Sequence, residues 1–467
     1  MPRPYNNPPE RYDVKTLLLL TLTFGLLLSG CATHLQNMVS VRDPLIANDV
    51  PSAVDNFKKK KVKKDDLLWL LEKAHLAHLG GEWTESNLYF ELAERKADEL
   101  YTKSVSKAAL SLISSDKVLP YSSPLFEMTL IPYYRAINYL RLEQPEEALV
   151  EARKSSFALS HLSEKAADGN RRPLAFLNYV AGLLYASVGQ WENAYLSYRL
   201  ARQQYALVPA AAPPPSLDAD CYLAARKLGR TSEMADPVAR DPALPSRADA
   251  EGRRNVILFV ESGFVPFRDQ ETITLPLMEP EKDENAEHLT RRYVDRYGNT
   301  YTQYEHSRVT LKQILQFAFP VLRDAPQASV SCEAGWSGGT LRRAQPALNL
   351  VPAVHEQFER ETPGTFLKTV LRAVTKELAR HQAAKSGGHA LGWAVNILNI
   401  GTEQADTRSW LLLPRRYEIL KFSVPVGAPQ TLLVRTLDAQ GYAVEEKQLP
   451  VTVKAGEMKW LSVRFFK

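Results

Sequence analysis

Three stretches of the chain repeat one another, and this self-similarity limits the folds open to it. They are Gly81-Glu-Trp83-Thr-Glu-Ser86-Asn-Leu-Tyr-Phe90-Glu-Leu-Ala93, Glu143-Gln-Pro145-Glu-Glu-Ala148-Leu-Val-Glu-Ala152-Arg-Lys-Ser155 and Gly189-Gln-Trp191-Glu-Asn-Ala194-Tyr-Leu-Ser-Tyr198-Arg-Leu-Ala201. Each opens on a turn residue and places an aromatic ring or a proline two positions on. A small residue follows three later, and further small or aromatic residues come four and seven beyond it. A partner helix precedes each stretch, carrying Ala74, then Ala136 and Tyr139, then Gly182 and Tyr185. Small residues at these places let two antiparallel helices approach closely, and the rings fill the space between neighbouring pairs. Residues 67–235 therefore read as stacked helix pairs. The first helices present Trp69, Tyr139 and Tyr185 as candidates for a partner groove, although such rings also serve as core.

The pattern resembles the second half of a tetratricopeptide (TPR) motif, which implies a protein-interaction domain. It departs from a tight array, because Ser86, Ala148 and Ala194 are separated by 62 and 46 residues rather than about 34. Insertions such as Leu100 to Pro124 and Leu162 to Arg172 must occupy the gaps. A further helix is read from Asp218 to Gly229, after the breaker Pro209 to Pro215.

The N-terminus reads as an address. Arg3, Arg11 and Lys15 precede the 13-residue apolar run Thr16 to Leu28, too short for a bilayer span of about 20 residues but right for an export signal. It ends in Leu28-Ser29-Gly30-Cys31, which resembles the lipobox of bacterial lipoproteins. The resemblance implies cleavage after Gly30 and acylation of Cys31, and several acyl chains hold a protein stably on a membrane. Ala32, where Asp would favour inner-membrane retention, points to the outer membrane. Residues 1–30 are thus read as signal peptide. Residues 31–66 are read as a tether interrupted by Pro44 and Pro51 and ending in the run Lys58 to Lys64. Asp65 and Asp66 then suit the start of the next helix.

Residues 236–254 read as a linker by composition, and 255–467 as a mixed domain. Val256 to Val260 is a continuous apolar run of buried-strand type. Ala353 to Ala384 carries a helical stripe broken near Pro363-Gly364. Beyond about 417 the period becomes two, with strands at Glu418–Val424, Thr431–Thr436, Leu449–Val453 and Lys459–Phe465. The fold class expected is α+β: a helical TPR-like repeat domain, then a mixed domain ending in an antiparallel β-sheet.

Signs of catalysis are scarce. Gly335-Trp336-Ser337-Gly338-Gly339 matches the turn that exposes a nucleophilic serine. However, no Asp lies between Ser337 and His389, so Glu356, Glu359 or Glu361 would have to orient His381 or His389. His75 and His78 lack companions at zinc spacing, and no dinucleotide, phosphate-loop or calcium-loop pattern occurs. No cofactor or metal is expected. Net charge +5 on 467 residues, with its densest cluster between anchor and first helix, gives no stripe for nucleic acid. With Cys31 lipidated, Cys221 and Cys332 remain, either bridged or as two buried thiols.

Pro120 to Glu127, Tyr133 to Tyr139, Val150 to Arg153, Tyr179 to Tyr185 and Asp406-Thr-Arg408-Ser-Trp410-Leu-Leu-Leu-Pro414 together resemble a group of TPR-containing bacterial lipoproteins to which no activity is assigned. The reading is then a non-enzymatic, lipid-anchored scaffold or adaptor of cell-envelope assembly. It would sit on the membrane through its lipid and bind a periplasmic or outer-membrane protein. The alternatives are an envelope serine hydrolase using Ser337, or an accessory regulator of peptidoglycan synthesis or export.

Overall fold

The computed structural model describes residues 33–60, 66–103, 120–163, 171–208, 213–280, 290–294, 298–304, 309–369 and 405–467. The chain is α+β, with helices in the first half and most strands in the second. Cys31 lies outside the described residues, as do Lys61 to Lys64 of the basic run, His381 and His389.

The tether reading of 31–66 is corrected. Helices α1 (His34–Ile46) and α2 (Val50–Lys58) occupy it, and Met38, Val41, Leu45, Ala53 and Phe57 are buried in the main core. Thr33 and Gln36 form a capping box at the start of α1, each satisfying a backbone N–H that the helix itself leaves unpaired. Pro51 sits in the first turn of α2, where the missing N–H costs nothing. Lys60 Nζ donates to Asn37 O and to Ser40 Oγ, so this lysine ties α2 to α1.

Three helix pairs follow: α3 (Leu67–Leu79) with α4 (Trp83–Lys103), α6 (Ile131–Arg141) with α7 (Pro145–Ser163), and α8 (Arg171–Ser187) with α9 (Trp191–Ala206). The short α5 (Leu125–Thr129) precedes α6. Asp66 caps α3 by accepting from Leu68 N–H at 3.0 Å. The turns fall at Gly81, Glu143 and Gly189, all with positive φ, a region glycine enters freely. Gly182 serves a different need, since a Cβ there would lie 2.4 Å from the Tyr198 ring. Its absence sets how closely α8 and α9 approach. Asn138 Nδ2 donates to Ser86 Oγ and Asn87 Oδ1 at 2.9 Å, and Ser86 Oγ donates to Ala74 O at 2.8 Å, joining α3, α4 and α6.

Helix α10 (Ser216–Lys227) is followed by α11 (Ala235–Arg240) and α12 (Leu244–Gly252). The linker reading of 236–254 is therefore also corrected. Pro245 occupies the first turn of α12, and Leu244 and Ala248 are buried.

The second half contains two four-stranded sheets. The first has the order β12–β1–β9–β8 and the second β11–β10–β6–β7. These are β1 (Val256–Ser262), β6 (Ser331–Trp336), β7 (Arg342–Arg343), β8 (Gln345–Asn349), β9 (Arg416–Phe422), β10 (Gln430–Leu437), β11 (Ala443–Val451) and β12 (Lys459–Phe465). The expected C-terminal sheet is not wholly antiparallel, because β12 runs parallel to β1, with Ile257 opposite Trp460. Successive side chains alternate faces, so β1 is buried on both. Val256, Leu258 and Val260 join the core between the sheets. Ile257 and Phe259 join the core shared with the helices. The layers are thus helices, first sheet, second sheet.

The helix–sheet junction is aromatic and polar. Tyr133 OH donates to Glu261 Oε1 at 2.9 Å, and the hydroxyls of Tyr134 and Tyr417 are 2.9 Å apart. Lys421 Nζ lies 2.5 Å from Asp220 and 3.1 Å from Glu251, and Tyr179 OH donates to Asp220 at 2.7 Å. Burial lifts the Glu261 carboxyl to about 7, although Arg464 and the Tyr133 hydroxyl oppose the shift.

Between β1 and β6 a ribbon extends. Strands β2 (Phe267–Pro280) and β5 (Val309–Arg323) pair antiparallel over fourteen residues of β2, with an irregularity at Leu277/Met278. At about 3.4 Å per residue the ribbon is roughly 45 Å long. The hairpin of β3 (Thr290–Val294) and β4 (Thr300–Tyr304) lies between them in sequence. Residues 351–369 form a further helix, α13, whose continuity through Pro363-Gly364 corrects the break expected there. It meets the ribbon through stacked Phe319 and Phe366 rings, 5.5 Å apart.

Candidate functional site

Two segments far apart in sequence, Pro120 to Glu127 and Asp406 to Leu413, meet across a cleft of about 420 Å³. The base of β2 and one face of α13 complete it. Pro120 keeps the first segment extended, and Pro124 stands at the N-terminus of α5. This brings Glu127, in the first turn, back over Tyr121. The Glu127 carboxylate accepts from Tyr121 OH at 2.6 Å, Ser123 Oγ at 2.7 Å and Trp410 N–H at 3.1 Å. Burial pushes its affinity for a proton up, against the pull of these three donors.

The second segment holds a local clamp. Arg408 donates to both oxygens of Asp406, at 2.8 and 2.7 Å. Burial alone would raise Asp406, but this two-pronged pairing outweighs it and holds the carboxyl below the ordinary range. From the ribbon, Arg268 pairs with Glu361 of α13 at 2.5 Å, and Gln357 Nε2 donates to the other Glu361 oxygen at 2.7 Å. Residues 354, 357, 361, 365 and 368 recur at helical spacing and form the α13 wall.

With these bonds made, the carboxylates of the cleft are committed while several donors are not. Ser409 Oγ and Trp410 Nε1 are buried without a hydrogen-bond partner, and both residues line the cleft. Arg360 and Lys368 line it from α13, exposed and with no ion pair to any described residue. The uncommitted chemistry is donor-rich and cationic, which suits an anionic or acceptor-bearing ligand.

The residues singled out from sequence lie elsewhere. Trp69 sits between Phe57, stacked at 5.9 Å, and Tyr89, edge-on at 5.7 Å. Tyr185 is buried in the core and Tyr139 packs partly buried against it. The first helices α6 and α8 instead meet the sheet, Tyr133 and Phe176 packing on Phe259 and Tyr417, and α3 packs through His75 on Trp410. Ser337 is exposed in a turn between β6 and β7, where Gly338 has positive φ and a Cβ on Gly335 would lie 2.5 Å from Thr340 O. A strand follows this turn, whereas a nucleophile elbow leads into a helix.

His75 and His78 are buried, their rings 6.2 Å apart. Burial drives both toward the neutral form, His78 to about 4, even though Asn138 bonds it at 2.6 Å. Among the described residues, no group of three His, Cys, Asp or Glu side chains could hold a metal ion. No helix there is long and apolar enough to cross a membrane. Cys221 and Cys332 are buried free thiols. The cleft itself was not read from the sequence, although Pro120 to Glu127 and Asp406 to Pro414 had both been singled out as family-like.

No family model and no curated protein matches the chain. Among solved structures it is similar to BtubC (BKLC) from P. vanneervenii, at 15% identity and a TM-score of 0.29. The match covers 51% of this chain and 82% of that one. A likeness this low carries no argument about fold or function.

Proposed function

We propose that the chain is an acylated lipoprotein of the outer membrane, facing the periplasm, whose TPR-like helix pairs serve as a scaffold or adaptor in cell-envelope assembly. One observation carries the interaction reading. The first helices pack on the chain's own sheet and on the segment around Trp410, while the second helices expose Leu88, Val150, Leu196 and Leu200 to between 43% and 52%. The partner surface is thus assigned to the outer face of α4, α7 and α9. The start of α1 only three residues after Cys31 fits a body held close to its anchor.

The test is in-cell photocrosslinking from position 196 with mass spectrometry, in the parent and in a Cys31→Ser variant. A discrete adduct that disappears with Leu200→Glu is expected, as is release of the Cys31→Ser protein from the outer-membrane fraction. An adduct indifferent to Leu200→Glu would sink the assigned surface. A Cys31→Ser protein still fractionating with the outer membrane would sink the lipid anchor.

A further inference from the structure

The cleft lies beside the point where the chain would leave the membrane. His34 N–H, the first residue of α1, donates to Thr407 Oγ1 at 3.3 Å. Thr407 stands between Asp406 and Arg408, which line the cleft. His34 is three residue steps from Cys31, and an extended chain spans at most about 3.6 Å per residue. An acylated Cys31 would therefore sit within about 11 Å of His34. The cleft wall formed by α13 adds a second feature, since Phe366 and Leu367 are 56% and 59% exposed next to Thr365 and Lys368 of the lining. Apolar side chains beside a cation suit the boundary between headgroups and acyl chains.

We infer that the cleft is a binding site for a phosphate group carried on a membrane lipid headgroup. Arg360 and Lys368 supply the charge that meets the phosphate as it enters. Ser409 Oγ, buried without a partner, supplies a donor deeper in the lining, while the Trp410 ring packs against His75, Phe90 and Tyr134. The charges of Asp406 and Glu361 are each offset by a paired arginine, Arg408 and Arg268, and burial disfavours the charge on Glu127. Such a site would hold the body against the membrane at a second point, next to the lipid on Cys31.

The inference rests on the lipoprotein reading for the ligand's source alone. The acylated full chain in neutral maltoside detergent is titrated calorimetrically with dihexanoyl phosphatidylglycerol, with inorganic phosphate and with dihexanoylglycerol. One saturable site for phosphatidylglycerol is expected, with no binding of dihexanoylglycerol and at least tenfold weaker binding of inorganic phosphate. Arg360→Ala combined with Lys368→Ala should weaken phosphatidylglycerol at least tenfold while leaving the melting curve unchanged, since both side chains are exposed. Inorganic phosphate binding as tightly as the lipid would overturn the headgroup source. Absence of a saturable site, or unchanged affinity in the double variant, would overturn the site itself. Binding in detergent does not require delivery to a membrane, so its failure is distinguishable from failure of the Cys31 anchor.

Discussion

The two faces of the first sheet meet very different neighbours. Toward the second sheet, Val256, Leu258, Val260, Leu461 and Val463 meet Leu432 and Val434 in a largely aliphatic interior. Toward the helices, the same strands present Phe259, Glu261, Tyr417, Lys421 and Arg464 to Tyr133, Tyr134 and Asp220. An aliphatic interior asks mainly for volume and fit. A buried polar junction asks for particular partners, because each unpaired group left there is costly. The contrast assigns the sandwich to general stability and the junction to specifying how helices and sheet dock.

The sharpest way to break that contrast is Lys421→Met. It leaves Asp220 buried without its cation, while Glu251 keeps Arg254 at 3.2 Å, and removing one partner from such a cluster costs about 3–5 kcal/mol. Chemical denaturation of the two proteins reads the loss directly. A cost below about 1 kcal/mol would mean that apolar contact alone holds the junction. In the sandwich, Leu258→Ala is expected to cost about 3 kcal/mol through lost burial and a residual cavity. Leu258→Met, which keeps the volume, should cost under about 1.5 kcal/mol. If the two substitutions cost the same, the aliphatic interior is not governed by fit.

The pH-dependent effect is the most diagnostic. Burial raises the Glu261 carboxyl from an ordinary 4.5 to about 7, so the folded state binds a proton that the unfolded chain releases between those values. The stability this contributes is complete below about pH 4.5 and is lost as pH rises through 7. Glu261→Gln keeps an acceptor for Tyr133 and carries no charge. It should match the parent near pH 4.5 and exceed it by up to about 3 kcal/mol above pH 7. Denaturation midpoints measured from pH 4.5 to 8 check this, and a pH-independent difference would count against the buried charge as the cause.

Some of this was legible in the chain and some was not, for identifiable reasons. The unbroken run Val256 to Val260 reads as a strand buried on both faces because both of its faces meet apolar neighbours. The bounds of β12, Lys459 to Phe465, match the short apolar-rich run after the Ala455-Gly456 turn, although Trp460 and Leu461 break its alternation. Helix α1 carried its own signals, the Thr33 and Gln36 box and the spacing of Met38, Val41 and Leu45. Pro44 and Pro51 mask these signals, because proline reads as a breaker, although Pro51 lies where a first turn tolerates proline. The ribbon escaped because Pro276 and Pro320 sit within its strands and the irregularity at Leu277/Met278 disturbs its period. The cleft could not be read at all, since no local pattern records that Glu127 will accept from the backbone of Trp410.

The parallel pairing of β1 with β12 bears on the order in which the molecule assembles. Both neighbours of β1, β9 and β12, come from beyond residue 415, so the strand made first in that sheet is completed last. Closing so long a loop makes this step slow relative to the local helix hairpins. Until Lys459 to Phe465 arrive, the aromatic side of the helices around Tyr133 and Phe176 has no complete sheet to cover it. If the chain is exported unfolded, as the proposed function implies, it would carry that apolar surface uncovered through much of its passage, the stage at which a holding chaperone would matter most.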